Sequence, residues 1–344
     1  MRFAQRTAIL ITAAITGLAP MATATAAAVS APSVQGTARA ATGCITVTAT
    51  IPVGGQPGGV AANPKTNTIY VTNISSNSVS VISGRTNMVT ATIPVGRLPS
   101  AAAANPKTNT VYVVNNNDGG PGSVSVISGR TNTVVATIPV GGNSAGVAAN
   151  PKTNTTYVTN IVFSTVSVIS GRTNTVTATI PAGFEAAGVA VNPRTNTIYV
   201  TDADANTVVV ISGRTNTVTA TVPVGATPAG VAANPRTDTI YVTNNADNTV
   251  SVISGRTNTV TATIPVDGNP LGVAANPKTN TIYVTNTQVN TVSVISGRTN
   301  TVTATIPVGS LPAGVAANPK TNTTYVANTG LGDNTVSVLA PCPR

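Results

Sequence analysis

Seven tyrosines, the only ones in the 344 residues, stand at Tyr70, Tyr112, Tyr157, Tyr199, Tyr241, Tyr283 and Tyr325. Five of the six intervals between them are 42 residues and the other is 45. A chain that copies itself at such a period is one supersecondary unit repeated about an axis, so the repeat decides the fold before any local propensity does. One unit, at 228–266, reads PAGVAANPRTDTIYVTNNADNTVSVISGRTNTVTATIPV. It divides into four strand-length runs of the types GVAAN, TIYVTN, TVSVIS and TVTATIPV, each bounded by Asn, Gly, Pro or Thr turn signals. Four strands in a repeat of that length make one propeller blade. A solenoid would need a helical segment or a shorter coil, and the unit has neither. The expected fold is all-β: a seven-bladed β-propeller of four-stranded antiparallel blades.

Composition agrees with this. The repeats are rich in Thr, Val and Ile, poor in Glu, Lys and Leu, and dense in Gly, Pro and Asn, which favours short strands and tight turns. A ring of blades leaves two strand edges at its seam, where unpaired backbone invites fraying or aggregation. The last unit stops after its third strand, TVSVLA. The segment TGCITVTATIPVG at 42–54 is the tail of a unit with no unit before it. Ile45 to Ile51 is therefore expected to close the ring as the outermost strand of the last blade. Aligning VSVISGRTNTV with the two ends puts Cys342 at the turn's Arg and Cys44 at the Thr that follows. These two cysteines, the only ones present, are expected to form a disulfide in place of the hairpin turn.

YVTN stands at 70–73, 157–160, 241–244 and 283–286, with YVVN, YVTD and YVAN in the other units. Together with TATIPVG and GVAANPKTNTIYV, these residues resemble the YVTN family of β-propeller repeat proteins over essentially all of 45–340. The resemblance implies a secreted or cell-surface setting, surface-layer proteins included, and no single activity. The chain departs from the family at the turn after the third strand, where SGR replaces the DTATN associated with it; an acid is lost and a base gained.

Ahead of the repeats, Arg2 and Arg6 precede an apolar run from Ala8 to Ala19 and the small-residue stretch MATATAAAVSA. That layout reads as a secretory signal peptide over 1–28, with cleavage options near Ala24, Ala26 or Ala28. The apolar run is shorter than the ~20 residues a bilayer span needs. Residues 29–43, VSAPSVQGTARAATG, read as a flexible linker and 44–344 as the propeller. We expect a secreted, extracellular protein without a transmembrane segment, in an oxidising compartment that suits the disulfide; cell-surface association is the nearest variant.

Catalysis has few resources. There is no His, Glu185 is the one Glu, and the many Ser and Thr have no visible activating base. Streptogramin-type lyases are also seven-bladed propellers, but the histidine expected of them is missing. No enzyme activity, cofactor or metal site is expected. The segment DADAN at 202–206 resembles the start of an oxygen-ligand calcium loop, yet it lacks the Gly and distal Glu of an EF-hand.

Charge placement says more. Turns joining first to second and third to fourth strands share one face of the disc. The NP[KR]TN turns put Lys65, Lys107, Lys152, Arg194, Arg236, Lys278 and Lys320 there. The SGRTN turns add Arg85, Arg130, Arg172, Arg214, Arg256 and Arg298, opposed by Asp238 alone. The other face collects Asp118, Glu185, Asp202, Asp204, Asp247, Asp267 and Asp333 against Arg97. One cation in an Asn-Pro turn is ordinarily just solvated, but thirteen make a collective field. Such a face suits an anionic cell-wall or surface polymer. Nucleic acid is not expected, because an exported chain without Trp lacks rings on which bases stack.

The opposite face, whose loops differ between blades, is the expected place for a ligand or protein partner. Phe163 in NIVFST and Phe184 in PAGFEAAG fall in these loops, beside Glu185 and near Asp202, Asp204 and Asp247. Rings next to carboxylates suit a sugar, a cationic ligand or a protein, or else they cap the blade interface. The leading expectation is a non-catalytic extracellular binding module. A self-assembling surface-layer or envelope component is the alternative, and a lyase-type enzyme comes third.

Overall fold

The computed structural model describes residues 44–117 and 120–342; the expected signal peptide, the linker and Asp118 lie outside the described residues. Among the described residues twenty-eight strands form seven four-stranded antiparallel sheets arranged as the blades of a propeller. Blade 1 takes its strands in chain order from the centre outward: Pro57–Asn63, Thr68–Asn73, Ser78–Ser83 and Met88–Pro94. Blades 2 to 6 follow the same plan. Blade 7 has Pro312–Asn318, Thr323–Asn328 and Thr335–Pro341, and its outermost strand is Ile45–Pro52 from the other end of the ring, with Thr46 opposite Ala340. Cys44 and Cys342 are disulfide-bonded with Cα atoms 5.4 Å apart, and the Cys342 amide donates to the Cys44 carbonyl at 3.0 Å.

Local chemistry explains the turns. In each NP[KR]TN turn the first Asn accepts the amide of the cation two residues on, as from Lys65 N to Asn63 Oδ1 at 3.1 Å. The closing residue sits at positive φ, 56° at Asn67 and 55° at Asp238, where short polar side chains are tolerated. The first Asn also donates across the blade boundary to that closing residue in the next turn. Asn63 Nδ2 reaches Asn109 Oδ1 at 2.8 Å, Asn192 reaches Asp238 at 2.6 Å, and Asn318 reaches Asn67 across the seam at 2.7 Å. The seven turns are thus one continuous hydrogen-bonded ring, and the seam is bonded like every other boundary.

The core lies between blade faces. All seven tyrosines are at most 2% exposed, wedged with Val and Ile from the adjoining blade. Burial pushes every phenol up; Tyr241 rises to about 12 by burial, as does Tyr199, where the Asp238 carboxylate adds to it. An unfolded tyrosine titrates near 10. Above that pH the folded state keeps protons the unfolded chain has released, so stability falls with rising pH. The glycine of the SGR turn is required by the same wedge: a Cβ on Gly171 would lie 2.6 Å from the Tyr112 hydroxyl.

Each outermost strand carries a β-bulge. In six blades the bulged residue is Thr, whose hydroxyl donates to the neighbouring strand, as Thr177 does to the Val168 carbonyl at 3.2 Å. The bulge and a nearby Pro, such as Pro181, blunt the exposed edge against strand addition.

Candidate functional site

All thirteen cations of the NP[KR]TN and SGRTN turns are exposed. They form two concentric rings on one face. The seven on the turns of the innermost strands surround the axis, and the six arginines stand outside them, with the disulfide in the seventh outer place. Inner-ring side chains reach along the ring to the next blade's turn: Lys152 Nζ to the Arg194 carbonyl at 3.4 Å, Arg236 to the Lys278 carbonyl at 3.0 Å, and Lys320 to the Lys65 carbonyl at 3.3 Å. Between the rings lie polar notches. One of about 190 Å³ is lined by Asn154, Ser170, Arg172 and Asn216, and its counterpart one blade earlier by Asn109, Ser128, Arg130 and Asn174. The buried Oδ1 of Asn216 has no hydrogen-bond partner within the fold. A cation beside amides and hydroxyls can receive an anionic oxygen together with neighbouring hydroxyls.

On the opposite face Phe163 and Phe184 are 62% and 75% exposed, so both rings lie largely in solvent. Their loops touch: the Ser164 hydroxyl donates to the Phe184 carbonyl at 2.6 Å. Glu185 is half-buried, and Asp204 and Asp247 are exposed. Asp202 is only 2% exposed, which removes it from this surface. Its carboxylate accepts the amides of Phe184 at 2.9 Å, Glu185 at 3.3 Å and Ala205 at 3.2 Å. It therefore builds the loop that displays Phe184. Asp247 likewise holds the Ala226 amide, and Asp333 the Ser310 amide.

A signal for Asp202 was present in the sequence. In the other six blades an Asn stands there and donates to a Ser of the third strand, as Asn244 does to Ser251 at 2.9 Å. Blade 4 has Val209 in place of that Ser, so Asn–Ser has been exchanged for Asp–Val as a pair. A buried carboxylate has no proton to donate, and the valine asks for none.

A cavity on the axis was not visible in the sequence. About 290 Å³ of open space lies on the axis, walled by innermost-strand residues of all seven blades, mostly Gly and Ala with Leu271 in blade 6, and by loop residues of the variable face, among them Ile74, Ile161, Ala203 and Leu311. The hydroxyls of Thr287 and Thr329 in this wall donate to the carbonyls of Pro312 and Pro57, at 2.9 and 2.7 Å. Among the described residues no charged side chain lines the space. Rim residues Thr227 and Leu311 are held at φ 51° and 48°, strained for such side chains, with their amides fixed by Asn206 and Asn290 at 2.8 Å.

No protein-family model and no curated protein matches the sequence. In three dimensions 1569 chains of solved structures match, too many to single out one activity. One is Hydrazine Synthase of Kuenenia stuttgartiensis, with a TM-score of 0.74 and 22% identity over 82% of this chain and 95% of that chain. At that identity the likeness carries the propeller fold alone.

Proposed function

We propose that this chain is an exported, non-catalytic binding module of the YVTN type. Its basic face docks on an anionic cell-wall or surface polymer, and its variable face serves a ligand or protein partner. The observation that carries this reading is the double ring of thirteen exposed cations, with polar notches repeated between the rings. A repeated subsite suits a repeating ligand, because linked weak contacts reinforce one another. Export is supported by the leader-like N-terminal residues and the disulfide. Among the described residues no helix is long and apolar enough to cross a membrane. The absence of any imidazole weighs against acid–base catalysis, and kinship of fold with an enzyme does not transfer its chemistry.

The self-assembling envelope component remains the second reading. The bulged, Pro-flanked outer strands argue against lateral growth by edge pairing. Co-sedimentation with poly(glycerol phosphate) across a salt series tests the first reading. Binding should weaken steeply with salt, since exposed charges are screened beyond about 8 Å at physiological ionic strength. The triple change Arg172→Ser, Arg214→Ser and Arg256→Ser should weaken it further. Salt-independent retention, or none at all, rejects the polymer reading, and concentration-dependent growth of particles in light scattering would favour assembly.

A further inference from the structure

The axial cavity and the acids around it belong to one end of the ring. Ala203 lines the cavity and is followed by exposed Asp204. Thr227 lines it too, and the preceding residue, Ala226, is bonded through its amide to exposed Asp247. Glu185 lies two residues before Ala187, another wall residue. These carboxylates come from blades 4 and 5 and from the loop entering blade 4, so one side of the mouth is acidic while the wall is apolar. Phe163 and Phe184 stand exposed on the neighbouring loops. An apolar body with a positive head satisfies both parts: hydrocarbon enters the cavity, and the cation meets carboxylates and ring faces at its margin.

We propose that this cavity is a binding site for a small organic cation, an amine or quaternary ammonium carrying a compact apolar group. Size and charge argue for this occupant. At about 290 Å³ the space is at the lower edge of small-ligand pockets and too small to admit a folded partner. The acids disfavour an anion, and the wall offers a charged ligand no partner deeper inside. The rim is preorganised by the Asn side chains that fix Thr227 and Leu311, so little ordering accompanies binding. The site lies on the face away from the cation rings and is independent of polymer docking.

Three probes of one shape test it by calorimetry on the polymer-free protein in low salt: 1-naphthylmethylammonium, 1-naphthylmethanol and 1-naphthoate. The cation should bind one to one and about fivefold more tightly than the alcohol, the size expected of exposed carboxylate partners, with the carboxylate weakest. Asp204→Asn with Asp247→Asn should remove the advantage of the cation and leave the alcohol unchanged. Filling the mouth with Ala203→Trp should abolish binding of all three; Ile161→Trp, from the adjoining blade, serves if the first variant melts early. The proposal is overturned if no probe binds, if the naphthoate matches the cation, or if neither tryptophan affects binding in a protein of normal melting temperature.

Discussion

The two faces of the ring are made from the same repeat and stand in opposite relation to it. On the basic face the turn NP[KR]TN, or TD in one blade, occurs seven times, and SGRTN six times. On the other face the loops after the second strand read ISSN, IVFS, ADAN, NADN and TQVN in blades 1, 3, 4, 5 and 6, and are longer in blades 2 and 7. The difference follows from how each face is bonded. Every NP[KR]TN turn holds its neighbour through the Asn relay, so a change in one strands a partner in the next blade. The variable loops are tied at their two ends, as where the Ile74 amide donates to the Gln56 carbonyl and Asn77 Oδ1 receives the Leu98 amide, both at 2.9 Å. Residues between those ties are free to differ, and that is where individual function can accumulate.

The sharpest break in the uniform face is the disulfide, which replaces one of its turns. Changing Cys44 and Cys342 to Ser should lower stability by on the order of 5 kcal/mol, an upper bound from chain entropy for a loop of 298 residues. Denaturant unfolding measures it. A loss below about 1 kcal/mol would mean that strand pairing alone secures the seam.

On the variable face, structure and display should separate. Asp202→Ala orphans three backbone amides and should cost about 3 kcal/mol, whereas Asp247→Ala, at an exposed position, should cost less than about 1 kcal/mol. Equal losses would erase the distinction between buried and displayed acids. The smallest effect is expected for Phe163→Ser with Phe184→Ser. Both rings are largely in solvent, so the double variant should melt within a few degrees of the parent, a shift worth about 1 kcal/mol or less. A large drop in a thermal scan would return these rings to packing.

Fold and seam were legible because they rest on repetition: the tyrosine interval counts the blades, and a fourth strand without its first three points to the end that lacks one. The candidate site was legible only in part. Charges on turns could be assigned to faces from strand order alone, and Phe163 and Phe184 were visible as departures from the repeat. Asp202 looked like a surface acid because burial is not written in a loop motif; its exchange with Val209 could have revealed it. The axial cavity could not be read from any one unit. Gly230 and Ala229 look like close packing within a blade, and only seven such strands meeting around an axis leave the space open.

Closure of blade 7 by Ile45–Pro52 also imposes an order in time. This is the first strand of the ring to be synthesised, and its partner, Thr335–Pro341, is the last. Each of blades 1 to 6 can form from contiguous chain, while the earliest strand waits, Thr-rich and unpaired, for the whole ring to follow it. Contacts so distant in sequence form late and slowly. Until they do, the nascent protein is an open arc with an adhesive strand at one end and a three-stranded blade at the other, and crowded arcs can join one another before each closes on itself.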